Sequence, residues 1–103
     1  MKPPLPIEWS QAARDDLARL YLHIAPQNPA AALALHQRII GCISLLAARP
    51  HIGRPGRVPG TRELVIANTA YIVPYRVSGK RLQILRVYHS SRKWPESLPG
   101  DTI

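Results

Sequence analysis

The sequence predicts an α+β fold in which an antiparallel helix hairpin packs on an antiparallel sheet of three to four strands, with an N-terminal strand at one edge. Two helical patterns follow a short extended run, and three β-like runs then come together in the C-terminal half. This segregated order, β-α-α-β-β-β, is typical of layered α+β folds. With 103 residues, 46% of them hydrophobic, we expect one domain over 1–103. Its ordered core is expected over about 5–95, with a loosely held tail over 96–103.

The first element is the extended run from residue 5 to residue 9, which has prolines within and before it. Because proline has no N–H to donate to a neighbouring strand, this run is predicted to be an edge strand. Ser10 then provides an N-cap for a helix over about 11–25, with Asp15 and Asp16 toward the positive end of its dipole. The apolar residues at helical spacing are Ala13, Leu17, Leu20, Tyr21 and Ile24.

A second helix is predicted from Asn28, an N-cap, and Pro29, a first-turn proline, to about Arg49 before Pro50. The connection between the helices is short, so they are expected to pair as an antiparallel hairpin. The buried stripe of the second helix is predicted to be Ala32, Leu35, Ile39, Ile43 and Leu46.

Residues 51–60 are rich in glycine and proline and are expected to form a surface connection. Three runs rich in Val, Ile and Tyr follow it, over 62–67, 71–77 and 81–89. The turn sequences Asn68-Thr69 and Ser78-Gly79 separate them, so we expect an antiparallel meander. Pro74 interrupts the second run and is expected at an edge or a bulge, where its missing N–H is not needed.

The charge is strongly positive, +8 with a pI near 10.6. Residues 1–53 carry five basic and three acidic residues (+2), whereas 54–103 carry nine and three (+6). Eleven of the fourteen basic residues are arginine, whose planar fork suits phosphate and carboxylate groups. This balance indicates a polyanion or an acidic partner. A basic surface that only keeps the protein soluble is the alternative, and both interpretations stay open.

Several classes of function lack their signatures. The single cysteine, Cys42, is expected to fill a small space in the helical core, and the four histidines are scattered without the spacing of metal ligands. No glycine-rich phosphate-binding motif is present, so no cofactor is expected. Prolines interrupt the N-terminus, and no apolar run is expected to reach the ~18 residues of a membrane span. We therefore expect a cytoplasmic protein with no membrane partner.

Polar side chains gather where the last strand run ends. An arginine-rich sheet with such a cluster could bind RNA phosphates, stack a base on an aromatic ring and use a histidine for proton transfer. The alternative is that alternate strand residues simply face solvent. The residues concerned are Arg62 and Glu63 on the first run, Arg76 on the second, and Arg86, Tyr88, His89, Arg92 and Trp94 at the end.

Three segments after the helices, GRPGRVPGTRELVI, AYIVPYRV and ILRVYHSSRKWP, resemble the RelE/ParE superfamily of bacterial type II toxin–antitoxin toxins. The resemblance covers about residues 5–95. It implies a growth inhibitor, linked to plasmid or chromosome stabilisation, that a co-encoded antitoxin neutralises by wrapping its groove and sheet. An acidic antitoxin that folds on binding fits the positive charge. We expect it to contact Arg62, Arg76 and Arg81, and a toxin–antitoxin hetero-oligomer is left open.

Two mechanisms divide the superfamily. RelE-like toxins cleave mRNA in the ribosomal A site, whereas ParE-like toxins poison DNA gyrase without being nucleases. His89 and Arg92 match positions where some of the nucleases keep His or Arg. Ile72, however, stands where those nucleases usually keep an arginine, and their lysines on the preceding strand are missing. ParE-like toxins keep an aliphatic run followed by a histidine, as in ILRVYH. The resemblance therefore favours the gyrase branch.

The three hypotheses assign different roles to the residues. For a ParE-like toxin no residue is catalytic. The target contacts are then Arg86, His89, Arg92 and Trp94. For an mRNA endoribonuclease the catalytic residues are His89, Arg92, Arg76 and Tyr88. A third hypothesis, a non-catalytic basic nucleic-acid-binding module, predicts binding with a steep salt dependence and no growth arrest.

Overall fold

The computed structural model describes residues 2–91. In this part of the chain it has two helices and six strands. They are β1 (Ile7–Trp9), α1 (Gln11–Ile24), α2 (Pro29–Ala48), β2 (Arg54–Pro55), β3 (Arg62–Val65), β4 (Tyr71–Ser78), β5 (Arg81–Ile84) and β6 (Tyr88–His89). The predicted α+β fold is confirmed, with two differences: the connection over 51–60 contains β2, and the third strand run is divided into β5 and β6.

The caps predicted for both helices are present. The Ser10 side chain accepts a hydrogen bond from the Ala13 N–H at 3.0 Å, and the Asn28 side chain accepts one from the Ala31 N–H at 3.0 Å. These bonds satisfy N–H groups that have no partner within the first turn of a helix. Pro29 lies in the first turn of α2. Only residues 25–28 separate α1 from α2, so the two helices form the predicted hairpin.

The strand order in the sheet is β1-β5-β4-β3-β2, with β6 beside β4. β4 is antiparallel to β3, β5 and β6. β1 lies at the edge, as predicted, and runs parallel to β5. The Pro6 carbonyl accepts a hydrogen bond from the Leu82 N–H at 2.9 Å. Proline lacks an N–H but keeps its carbonyl, so it can still pair with β5 in this way.

A β-bulge divides β5 from β6. The three residues 85–87 between these strands face only two residues, 73–74, on β4. The Leu85 N–H donates to the Pro74 carbonyl at 3.0 Å. Because a strand residue directs its N–H and C=O to the same neighbour, the missing N–H of Pro74 faces the bulge. The predicted place of Pro74 at a bulge is confirmed.

The main core lies between the helix hairpin and one side of the sheet, here named the helix face. Side chains alternate along a strand, so the residues between those of the helix face lie on the opposite side, the open face. A smaller cluster of Val58, Leu85 and Tyr88 is buried separately. The main core consists of Ala13, Leu17, Leu20, Ile39, Ile43, Leu46, Ala47, Ile66, Val73, Tyr75, Leu82, Ile84 and Val87.

The two turns of the meander use backbone conformations that their residues favour. Gly79 has φ of +61° between β4 and β5, as the first central residue of a type II′ hairpin turn requires. Asn68 has φ of +62° between β3 and β4, where asparagine tolerates the left-handed region better than most residues. Both predicted turn positions are therefore confirmed.

α2 corrects one expectation from the sequence. This 20-residue helix has a mean hydropathy of 1.5 over an 18-residue window and is long and apolar enough to cross a membrane by those two criteria. The expectation that no apolar run reaches that length was wrong because alanine and aliphatic residues occupy the outer side of α2 as well as its core stripe. Four residues of that stripe pack in or against the main core, and Ala32 is buried: Leu35, Ile39, Ile43 and Leu46 are the four.

Replacing Ser10 with alanine should destabilise the fold more than removal of an ordinary cap. The Ser10 hydroxyl also donates to the Leu85 carbonyl at 2.7 Å, so the substitution also removes a hydrogen bond between the start of α1 and the bulge. We expect the free energy of unfolding to fall by about 2 kcal/mol, one part for the cap and one for the second hydrogen bond. Urea denaturation followed by circular dichroism measures it.

Asn28→Ala is the matched control, because Asn28 caps α2 and is exposed. It should cost about 1 kcal/mol. Equal losses for the two variants would show that the bond to Leu85 contributes nothing.

Candidate functional site

An ion pair between Asp16 and Arg86 joins α1 to the bulge. Arg86 Nε lies 2.6 Å from Asp16 Oδ2, and Arg86 Nη2 lies 2.8 Å from Asp16 Oδ1. The Val87 N–H also donates to Asp16 Oδ2 at 3.0 Å. Asp16 is buried, and a buried carboxylate is tolerated when such donors satisfy it. The hydrogen bond to Asp16 raises the pKa of Arg86 above its ordinary value. Asp16 therefore joins α1 to the last part of the sheet. It lies beyond the first turn of α1 and not at the positive end of the helix dipole, where the sequence had suggested it.

The bulge directs Arg86 toward α1 and toward a neighbouring aromatic ring. The guanidinium carbon of Arg86 lies 4.6 Å from the centroid of the Tyr88 ring, a cation–π contact. Tyr88 is buried, and the Arg86 side chain is 24% exposed. Both residues were predicted to contact a target or substrate. The structure gives each of them a role in the fold, and only a minor part of either side chain remains accessible.

His89 lies at a pocket between α1 and the end of the sheet, here named the α1–β6 pocket, with a volume of about 240 Å³. The Ser91 N–H donates to His89 Nδ1 at 3.2 Å. The His89 ring meets the Tyr71 ring edge to face, with centroids 5.3 Å apart. These contacts fix the ring at the mouth of the pocket. The lining residues are Asp16, Arg19, Leu20, His23, Tyr71, Val87 and His89.

Arg76 is remote from His89. His89 pairs with Tyr71 at the start of β4, on the helix face, whereas Arg76 follows buried Tyr75 and lies on the open face. Five residues along a strand span about 17 Å. Arg76 and His89, two residues of the nuclease hypothesis, therefore lie on opposite sides of the sheet and are not brought together, whereas Tyr88 pairs with Ile72 on the open face.

Glu63 organises the connection over 51–60 from the open face of β3. It is 3% exposed. It accepts hydrogen bonds from Arg54 Nη2 at 2.9 Å and from the Arg57 backbone N–H at 3.0 Å. Burial raises the pKa of Glu63, but the hydrogen bonds from Arg57 and Arg54 and the charges of both guanidinium groups outweigh burial, so the pKa is lowered overall. Two of the arginines in the basic half are thus paired with a buried acid.

The three arginines predicted to contact an antitoxin are not on one surface. Arg62 lies on the helix face opposite Tyr75 and donates to the Gly53 carbonyl at 2.8 Å. Arg81 lies on the open face beyond Arg76 and forms an exposed ion pair with Glu8 at 3.0 Å. Arg76 and Arg81 therefore share a face, and Arg62 instead holds the connection between α2 and β3.

The outer side of the helix hairpin carries an apolar groove that was not predicted from the sequence, here named the hairpin groove, with a volume of about 700 Å³. Leu22 and Leu33 in this groove are 68% and 49% exposed. Among the described residues, His36 Nδ1 is the buried side-chain polar atom without a hydrogen-bond partner. The sequence signal that could have revealed this groove is the row of apolar residues on each helix that lies outside its buried stripe, such as Leu22 and Leu33. The lining residues are Trp9, Arg14, Leu17, Ala18, Tyr21, Leu22, Leu33, His36 and Ile40.

Arg92 and Trp94, two of the predicted contact residues, lie outside the described residues 2–91. So does the predicted tail over 96–103. Within residues 2–91 no group of three or more His, Cys, Asp or Glu side chains is arranged to hold a metal ion.

The helix hairpin packed on an antiparallel sheet is the α+β fold of toxins of the RelE/ParE superfamily. Residues 7–94 match the family described as ParE toxin of the type II toxin–antitoxin system, parDE. The chain belongs to this family.

Two relatives are named as toxins. Y4kP of Sinorhizobium fredii is 40% identical over 92 residues, which cover 89% of this chain and 95% of the relative. Toxin RelE1 of Caulobacter vibrioides is 30% identical over 82 residues, which cover 78% and 87%. One of these two sequence relatives thus carries the name of the RelE branch.

Two solved structures share the fold. A chain of the chromosomal ParDE toxin–antitoxin system of P. aeruginosa has a TM-score of 0.75 and 34% identity, covering 82% of this chain and 95% of that chain. The RelBE2 toxin–antitoxin complex of Mycobacterium tuberculosis gives a TM-score of 0.55 and 26% identity, covering 84% and 99%. These neighbours support a cognate antitoxin as partner, and the compact fold they share is that of a soluble protein.

Glu63→Gln should destabilise the protein at neutral pH, because it removes the charge that holds Arg54 and Arg57. We expect a loss of about 1–3 kcal/mol in the free energy of unfolding, since both arginines are half-exposed and partly screened. The lowered pKa of Glu63 means that its contribution is present above the ordinary value of 4.5 and is lost as the pH falls through the lowered pKa.

The difference between wild type and Glu63→Gln should therefore shrink as the pH falls below 4.5. Chemical denaturation at several pH values measures this. Glu8→Gln, in an exposed pair, is the control and should change stability by less than about 1 kcal/mol. A difference that stays constant down to strongly acidic pH would contradict the role assigned to the Glu63 charge.

Proposed function

We propose that this chain is the toxin of a cytoplasmic toxin–antitoxin pair and arrests growth by inhibiting DNA gyrase through protein–protein contact. The observation that carries the proposal is the separation of Arg76 from His89 on opposite faces of the sheet. A nuclease would need its phosphate-binding and proton-transfer groups around one scissile phosphate. A protein contact has no such requirement, because its energy comes from a packed surface.

The chemistry at the end of the sheet also supports contact rather than catalysis. Arg86 is bound by Asp16 and stacked on Tyr88, so its charge is largely committed to the fold. Ile72 is buried where the nuclease pattern would place an arginine. His89 remains partly accessible at the rim of the α1–β6 pocket, and we expect it to contact the target together with Arg92 and Trp94.

Supercoiling of relaxed DNA by purified gyrase, with and without the purified protein, tests the proposal. Loss of supercoiling or accumulation of cleaved DNA is the expected result. An in vitro translation mixture runs in parallel. Cleavage of mRNA that depends on ribosomes, with unchanged gyrase activity, would refute the gyrase proposal in favour of the endoribonuclease.

The His89→Ala variant separates contact from chemistry. A contact residue should give a graded loss of gyrase inhibition, about tenfold or less, as for most interface side chains. Loss of a general acid or base should instead cost about 10²–10⁴-fold. Dose–response curves measure the change, and thermal unfolding checks that the fold is intact. Abolished toxicity in a folded His89→Ala protein would count against the contact mechanism.

The antitoxin is proposed to bind the hairpin groove with an apolar helix face and the open face with acidic side chains. Exposed Leu22 and Leu33 offer apolar surface to such a helix. Arg14 at the groove and the net charge of +8 favour an acidic partner.

Leu33→Asp should weaken antitoxin binding at least tenfold, because it places a charge in the apolar groove, roughly the cost of losing one anchor residue. Leu45→Asp is the matched control: Leu45 lies on the same helix, is 54% exposed and does not line the groove. Isothermal titration with the co-encoded antitoxin measures both affinities. Equal losses for the two variants would exclude the hairpin groove as the binding site.

A further inference from the structure

The α1–β6 pocket is a half-open cleft with room for a small anion. Its volume of about 240 Å³ is several times the roughly 30 Å³ that a water molecule occupies in the liquid. It lies at the edge of the sheet beside α1, away from Arg76 on the open face of the central strand. Neither the antitoxin surfaces nor the proposed gyrase contact explains the groups that line it from α1.

The acid in this pocket is already neutralised. Asp16 accepts two hydrogen bonds from Arg86 and one from the Val87 N–H. Its carboxylate therefore forms a charge-balanced pair with Arg86 and has little capacity to bind a cation. Among residues 2–91, Asp16 is the one acidic residue that lines the pocket, so the other charged groups there set its potential.

The remaining polar groups from α1 are donors on one side of the helix. Arg19 is exposed and has no hydrogen bond or ion pair to any of residues 2–91. His23 lies one turn further along α1, and residues four apart on a helix are neighbours. Both side chains line the pocket. A guanidinium group has only N–H donors and cannot accept a hydrogen bond.

A third donor comes from the opposite wall. His89 Nδ1 is an acceptor because the backbone N–H of Ser91 donates to it. In the neutral imidazole the other nitrogen then carries the hydrogen, so His89 presents Nε2–H as a donor. The edge-to-face contact with Tyr71 keeps the ring in place.

We infer that the α1–β6 pocket binds a phosphate group, held by Arg19 and His23 from α1 and by His89 from the sheet. Phosphate suits this arrangement because its tetrahedral oxygens accept hydrogen bonds from two walls at once, and an arginine fork binds two of them. The group belongs either to free phosphate or to a nucleic-acid strand. The inference does not depend on gyrase inhibition, because binding is measured on the isolated protein.

Titration of the ¹⁵N-labelled protein with sodium phosphate, followed by two-dimensional NMR, tests this inference. The expected result is a saturable shift of the backbone amides near Arg19, His23 and His89. Arg19→Ala should weaken phosphate binding about tenfold, the effect of losing one charged hydrogen bond. Arg14→Ala removes the same charge from the same helix but outside the pocket, and should leave the affinity within about twofold.

A single-stranded oligonucleotide provides the second arm. Displacement of phosphate from the same amides would identify a nucleic-acid phosphate as the ligand, whereas phosphate binding without competition would identify the free anion. Both results support the pocket. Shifts that do not saturate, equal effects of Arg14→Ala and Arg19→Ala, or binding of a polyglutamate peptide in place of phosphate would each overturn it.

Discussion

The ion pair between Asp16 and Arg86 is the interaction on which this end of the molecule depends. It joins residues 70 positions apart, so it forms only when the helix hairpin and the last strand are both in place. Removing Arg86 would leave the buried Asp16 carboxylate without its counter-charge, which is costly. The same carboxylate holds the Val87 N–H, so the ion pair also fixes the bulge from which β6 starts. The positions of Tyr88 and His89 follow from it.

The positive composition overstates how much basic surface is available. Asp16 neutralises Arg86, Glu63 is shared by Arg54 and Arg57, and exposed Glu8 pairs with Arg81. Arg62 is directed to backbone carbonyls of the connection before β3. A count of charges in the sequence cannot distinguish an arginine that binds a partner from one that holds a loop. In this fold the acidic residues are few, and those that are buried position arginines.

Local signals predicted the helices and turns. Ser10 and Asn28 were predictable as caps because their side chains accept hydrogen bonds from N–H groups three residues further along. Gly79 was predictable as a turn residue because glycine readily adopts a positive φ. The bulge could not be located, because it depends on the register between two strands rather than on either strand alone. The burial of Asp16 could not be predicted either, because its partner, Arg86, is 70 positions away in the sequence. The hairpin groove exists only once the two helices are paired.

α1 carries two surfaces on different sides. Leu17, Tyr21 and Leu22 line the hairpin groove, and Asp16, Leu20 and His23 line the α1–β6 pocket. Both surfaces therefore share one helix, whose position the Asp16–Arg86 pair sets against the sheet. A segment bound in the groove would contact the outer side of α1 and leave the pocket open. Because packed helices shift as units rather than deform continuously, any movement of α1 on binding would reach the pocket lining directly.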